Sequence, residues 1–164
     1  MLLGSSINIP LTKKKKIIVQ NSYFFGLFRI PTVETSGVAI NLGGGVFPVL
    51  LSFYFLSKIP LKETLIAIFL MTLVSKIFSR IVPGRGIMIP AFIPPIFSAL
   101  FAWMLAPTFM APVAFVAGVL GTLIGADLLN LRRVQKLNLG LISIGGAGVF
   151  DGIFLTGIIS ALLV

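Results

Sequence analysis

Five apolar stretches, each near the length of a bilayer-crossing helix and joined only by short connections, leave this 164-residue chain few ways to fold. They lie at about 37–57, 64–82, 87–105, 109–131 and 139–163. The links between them read "SKIPLKE", "VPGRG", "APTF" and "RRVQKLN", polar or proline-bearing in each case. A helix needs roughly 20 apolar residues to cross hydrocarbon, because each residue advances it by only about 1.5 Å. The expected fold is an all-α membrane protein of about five transmembrane helices, some discontinuous at Gly/Pro-rich entries. A short cytoplasmic-side or interfacial segment, residues 1–36, precedes them. The composition agrees: 57% of residues are hydrophobic, 10% are charged, and the mean hydropathy is +1.12. So few charges could not cover a soluble domain of this size.

The charges that remain carry topology. With the N-terminus inside, Lys13–Lys16, Arg29, Lys76, Arg80, Arg85, Arg132, Arg133 and Lys136 share one side, and only Lys58 and Lys62 fall on the other. Lys and Arg accumulate on cytoplasmic loops, so eleven against two predicts a cell-membrane protein with its N-terminus cytoplasmic and its C-terminus outside. The net charge of +9 flanks apolar segments, so the expected partner is the lipid bilayer and not nucleic acid. Residues 7–30 are too interrupted to span; two strands around the lysine run, or an aromatic-rich interfacial segment, are expected there. The third stretch contains Pro90, Pro94 and Pro95, each of which removes a backbone donor, so its first half should be broken or re-entrant.

Cys and His are both absent, which excludes disulfides, thiol nucleophiles, Cys/His zinc sites and a histidine base. Neither "VPGRG" nor the glycine runs continue into Gly-Lys-Ser/Thr, so no phosphate loop is present, and "GAGVFD" has Asp151 where a dinucleotide fingerprint needs glycine. No cofactor is expected.

An internal repeat links the first and last stretches. "INLGGG-VFPVLLSFYFLS" at 40–57 parallels "ISIGGAGVFDGIFLTGIIS" at 142–160 with one gap, and both set a glycine cluster before Val-Phe at the same side of a span. With five spans the two copies enter from one side, so any pseudo-symmetry is parallel. Gly118, Gly121 and Gly125 form a stripe suited to close helix packing.

The chain has four acids: Glu34, Glu63, Asp127 and Asp151. The two glutamates fall at expected membrane boundaries. The aspartates lie within consecutive antiparallel spans, at depths that let them face each other. A carboxylate in hydrocarbon costs about 2.5–3.5 kcal/mol on insertion scales, so each should be paired or functional. Structural roles are also open: Asp151 as a helix N-cap, and Asp127 as an ion-pair partner of Arg132 or Arg133.

"GTLIGADLLNL" at 121–131 and "SIGGAGVFDGIFLTGIISALL" at 143–163, with "INLGGGVFPVLLS" and "PGRGIMIPAFIPP", resemble a family of small polytopic membrane proteins of archaea and bacteria with a domain of unknown function. That resemblance covers most of residues 30–164 and implies a compact polytopic domain. More distantly, Asp127 and Asp151 are similar in layout to the aspartates of presenilin-like intramembrane aspartyl proteases. Ala126 stands where those proteases have tyrosine, and Gly146, Gly148 and Asp151 are spaced two residues wider than their Gly-x-Gly-Asp.

Three functions follow as expectations. In an aspartyl protease, Asp127 and Asp151 share a proton and activate water, while Gly145, Gly146 and Gly148 make room for an extended membrane-protein substrate. In an ion- or proton-coupled transporter or channel, the same carboxylates bind a small ion, with Asn41, Asn130 and Asn138 as further oxygen donors and with homo-oligomerisation expected. In a structural subunit, small-residue faces pack against partner helices.

Overall fold

The structure is a computed structural model that describes residues 4, 6–24, 28–82, 86–136 and 141–162. Two long antiparallel strands come first, β1 (Asn8–Phe24) and β2 (Phe28–Asn41), and of the two structures expected for the lysine run the strand pair is the one formed. The run itself lies in β1, where Lys16 stands opposite Glu34. Strands are thus added to the helical fold expected from the apolar stretches.

Five helical segments form the body. A π-helical turn, Leu42–Val46, leads into α1 (Phe47–Leu56), and α2 covers Leu61–Phe78. A small hairpin of β3 (Arg80–Val82) and β4 (Gly86–Met88) then turns the chain into α3 (Ile93–Leu105). After a 3-10 turn at Pro107–Phe109, α4 (Met110–Thr122), a π-helical turn at Leu123–Leu128 and α5 (Leu129–Lys136) follow. Finally β5 (Leu141–Ile144) pairs in parallel with β2 and precedes α6 (Ala147–Ala161). Arg85 and Asn138 lie outside the described residues.

Several boundaries differ from the sequence expectation. The first and last apolar stretches start as strands, β2 and β5, so their helices are about 15 residues long and not full spans. The third is broken, as its prolines predict: residues 89–90 belong to no helix or strand, and α3 begins only when Pro94 and Pro95 occupy its first turn, where a missing N–H costs nothing. The fourth is longer than expected. Residues Pro107–Gln135 form a continuous helix of 29 residues, long and apolar enough to cross a membrane.

The helices run alternately up and down. Gly121 of α4 packs on Met71, and Gly125 on the Thr72 carbonyl and Ser75, so α4 runs parallel to α2. Gly118 meets Ser98 and Thr156, and Gly152 meets Pro94, which sets α6 alongside α3. The glycine stripe is therefore a packing surface, as expected. Added Cβ atoms at Gly121 and Gly125 would fall 2.6 Å from Met71 Cβ and 2.8 Å from Ser75 Cβ.

Small and polar side chains fill the contacts, while large apolar ones face outward. Ala67, Ala102, Ser52, Thr64, Ser75, Thr122 and Thr156 are buried, whereas Ile77 is 76% exposed and Phe53, Phe69 and Trp103 each exceed 60%. Ser52, Thr64 and Thr156 donate to carbonyls four residues back at 2.6–2.8 Å, whereas Ser75 of α2 donates to Thr122 Oγ1 of α4 at 3.5 Å. An apolar core of Val38, Ile87, Phe115, Val119, Ile144 and Val149 joins sheet to helices.

Candidate functional site

The two copies of the repeat fold alike and meet. Each is a strand, a glycine break and a helix, and the strands pair with Ala39 opposite Ser143 and Ile40 opposite Ile144. The copies therefore enter from one side, in the parallel sense that the repeat implied. Beyond the strands the breaks press together. A Cβ on Gly145 would lie 2.6 Å from the Gly44 carbonyl carbon and oxygen and 2.7 Å from the Gly45 nitrogen. Gly145 also has φ +65°, a conformation that costs an L-residue about 1–2 kcal/mol. Only glycine suits both demands.

Two asparagines hold this junction. Asn41 caps the first break by accepting from the Gly44 N–H at 2.8 Å. Asn8 binds both copies, its Oδ1 accepting from Asn41 Nδ2 at 3.1 Å and from Ser143 Oγ at 2.5 Å. In the first break Pro48 supplies no N–H, so the Gly44 carbonyl lacks the donor an α-helix would give it. In the second, Gly146 is extended at the N-cap position and α6 starts at once.

Asp127 lies where the breaks meet. It belongs to the π-helical turn between α4 and α5 and is 1% exposed. Oδ2 accepts from the Gly145 N–H at 2.5 Å, whereas Oδ1 is buried and has no hydrogen-bond partner. A carboxylate oxygen withdrawn from water without a partner costs about 1–3 kcal/mol or more. A buried polar atom of this kind is suited to receive a proton or to bind a small ligand. π-Turns also recur at functional sites.

A separate polar cluster sits one turn further along. Asn130 Nδ2 donates to Ala126 O and Ser79 Oγ, both at 2.8 Å, and its Oδ1 accepts from Lys76 Nζ. Lys76 also donates to Leu129 O at 3.2 Å. The Asn130 oxygen, expected as an ion ligand, is thus held by a lysine, and the Asn41 oxygen by Gly44. Arg132 and Arg133 are exposed, and no ion pair joins either to Asp127 among the described residues.

Asp151 stands apart. It is the fifth residue of α6, exposed, and no hydrogen bond connects it to Asp127. The helix is already under way at Ala147, with Gly146 in the N-cap position, so Asp151 is not its cap. Gly152, beside it, is the residue that faces inward, against Pro94. Of the three glycines singled out, Gly145 binds Asp127, Gly146 is buried and donates to Ser143 O at 3.1 Å, and Gly148 lies in the first turn of α6. Glu63 is in the first turn of α2. Sequence reasoning missed the clamp of Asn8 and Asn41; the repeat was its signal, since Asn41 and Ser143 occupy equivalent positions.

Among the described residues no three His, Cys, Asp or Glu side chains gather. Any cation at Asp127 would draw its other oxygens from backbone carbonyls.

Residues 2–163 match the family described as "Protein of unknown function (DUF1614)", and the chain belongs to that family. The match supports the resemblance to a domain-of-unknown-function family and extends it over the strand hairpin; the presenilin-like similarity gains no support. No curated protein and no solved structure matches the chain.

Proposed function

We propose that this family member is an integral membrane protein in which Asp127 forms a site for a proton or a small monovalent cation, the core of an ion-coupled carrier or channel. The observation that carries this reading is the buried, unpartnered Oδ1 of Asp127 at the junction of two glycine breaks. Transporter folds with internal repeats use broken helices in this manner, because interrupted backbone is tolerated at depth only where it is buried or lines a site.

The membrane part rests on the inverted distribution of side chains. Large apolar residues cover α1, α2 and α3 outside, while Ser, Thr, Ala and Gly fill the contacts, the pattern of helices packed in lipid. The 29-residue helix at Pro107–Gln135 agrees with it. The basic residues favour a cytoplasmic N-terminus and an external C-terminus, which would put the Asp127 end of the bundle on the cytoplasmic side. A pathway through so small a bundle would be completed by more than one copy of the chain.

The aspartyl-protease reading requires both carboxyls on one water. The burial of Asp127 on Gly145, with Asp151 exposed, favours a one-carboxylate site instead. Full-length protein reconstituted in liposomes tests this with imposed H+, Na+ and K+ gradients. Wild type and Asp151→Asn should dissipate one of them, and Asp127→Asn should not. Flux that survives Asp127→Asn, or none from wild type under any gradient, would refute the reading. Equal loss in both variants, together with peptide cleavage by wild type, would restore the protease.

A further inference from the structure

A cavity lies at the opposite end of the bundle from Asp127. It has a volume of about 530 Å³, sits between α1, α4 and α6, and is walled by Leu51, Phe55, Phe109 and Phe115. That is the size range of small-molecule sites, which run to roughly 300–1,000 Å³. Lys58, in the turn after α1, and Ser160, near the end of α6, are its polar lining.

Lys58 is exposed and its ammonium is incompletely satisfied. One N–H bonds to Tyr54 Oη at 2.5 Å, and the charge stands 4.2 Å from the Tyr54 ring centroid. An ammonium has three donors, and among the described residues Tyr54 is the one hydrogen-bond acceptor that Lys58 meets. Two donors are therefore free at one end of an apolar trough. A ligand that complements both parts has an anionic head and a hydrocarbon tail.

We infer that this groove binds one anionic phospholipid, its acyl chain along Leu51, Phe55 and Phe115 and its phosphate on Lys58. The charge complementarity selects the head; the aromatic walls select only a chain. Gly157 forms part of the floor: a Cβ there would meet Phe115 at 3.6 Å, an ordinary contact. Alanine therefore fits at this position, whereas a larger side chain would fill the trough. The site is independent of the reading given to Asp127, and its test does not involve ion flux.

The test is native mass spectrometry of delipidated full-length protein, offered phosphatidylglycerol or phosphatidylcholine with identical acyl chains. Wild type should retain one phosphatidylglycerol per chain with about a fivefold preference, the worth of one lysine at an anionic surface. Lys58→Arg and Gly157→Ala should keep that preference, Lys58→Gln should abolish it, and Gly157→Leu should lose the lipid altogether. Should Gly157→Leu fail to fold, the Lys58 pair still decides. Equal retention of both lipids by wild type would overturn the proposal, as would an unchanged preference in Lys58→Gln. A lipid-free dimer would also overturn it, by identifying the groove as an interface between copies.

Discussion

Replacing Gly145 by alanine probes whether the meeting of the two glycine breaks holds the fold together. Three costs arise. The left-handed backbone at φ +65° penalises a Cβ by about 1–2 kcal/mol. The new carbon would stand 2.6 Å from the Gly44 carbonyl, and backbone displacement in a packed interior costs about 1–3 kcal/mol. Separating the breaks would also weaken the hydrogen bond from Gly145 to Asp127, of a class worth about 1.5–3 kcal/mol when the acceptor is charged. Together they come to roughly 3.5–8 kcal/mol, enough to unfold a marginal domain. Gly86→Ala provides the control. Gly86 has φ +87° but nothing within 4 Å of an added Cβ, so it bears only the conformational cost, about 1–2 kcal/mol. Equilibrium unfolding in mixed micelles, followed by circular dichroism, measures both. If the two variants are equally destabilised, the close approach contributes nothing and the reasoning fails.

The remaining predictions use the same assay with different readouts. Asn8→Ala removes the acceptor shared by Asn41 and Ser143; it should cost about 1–2 kcal/mol and raise hydrogen exchange in β5 before the helices are affected. Gly125→Ala should destabilise by about 1–3 kcal/mol by forcing α4 away from α2, whereas Gly157→Ala should be close to neutral; reversed ranks would contradict the packing described. Asn130→Ala strips Lys76 of its side-chain acceptor and should cost about 1–3 kcal/mol, while leaving any Asp127-dependent flux in place.

Much of the helical frame was legible because apolar length is a direct physical requirement. Prolines 94 and 95 announce where α3 can begin, and three glycines at helical spacing announce a close neighbour. The strands were harder. "LISI" in β5 lies within an apolar run, where a short buried strand and a helix have the same hydrophobic pattern. Its partner in β2 is about a hundred residues away, beyond the reach of local spacing. The outward direction of Asp151 was hidden for a related reason. α6 is apolar on nearly every face, so no polar stripe tells which side is inside, and its rotation shows only in contacts such as Gly152 against Pro94 and Thr156 against Gly118. Asp127 was picked out by depth alone, and its bond to Gly145 required the two breaks to meet.

That meeting has a consequence for biosynthesis. Gly145 follows all but one of the helices, so a ribosome has made α1 to α5 before Asp127 can receive the hydrogen bond from Gly145. Until then the Asp127 side chain lacks its Gly145 partner, and the edge of β2 lacks the strand that closes it. Loop closure across a hundred residues is slow compared with the local contacts of the helices. The described residues from Leu141 onward therefore act as a latch on β1 and β2, and a chain stalled before Leu141 would present an open strand edge and an uncompensated carboxylate, the features by which an unfinished product differs from a finished one.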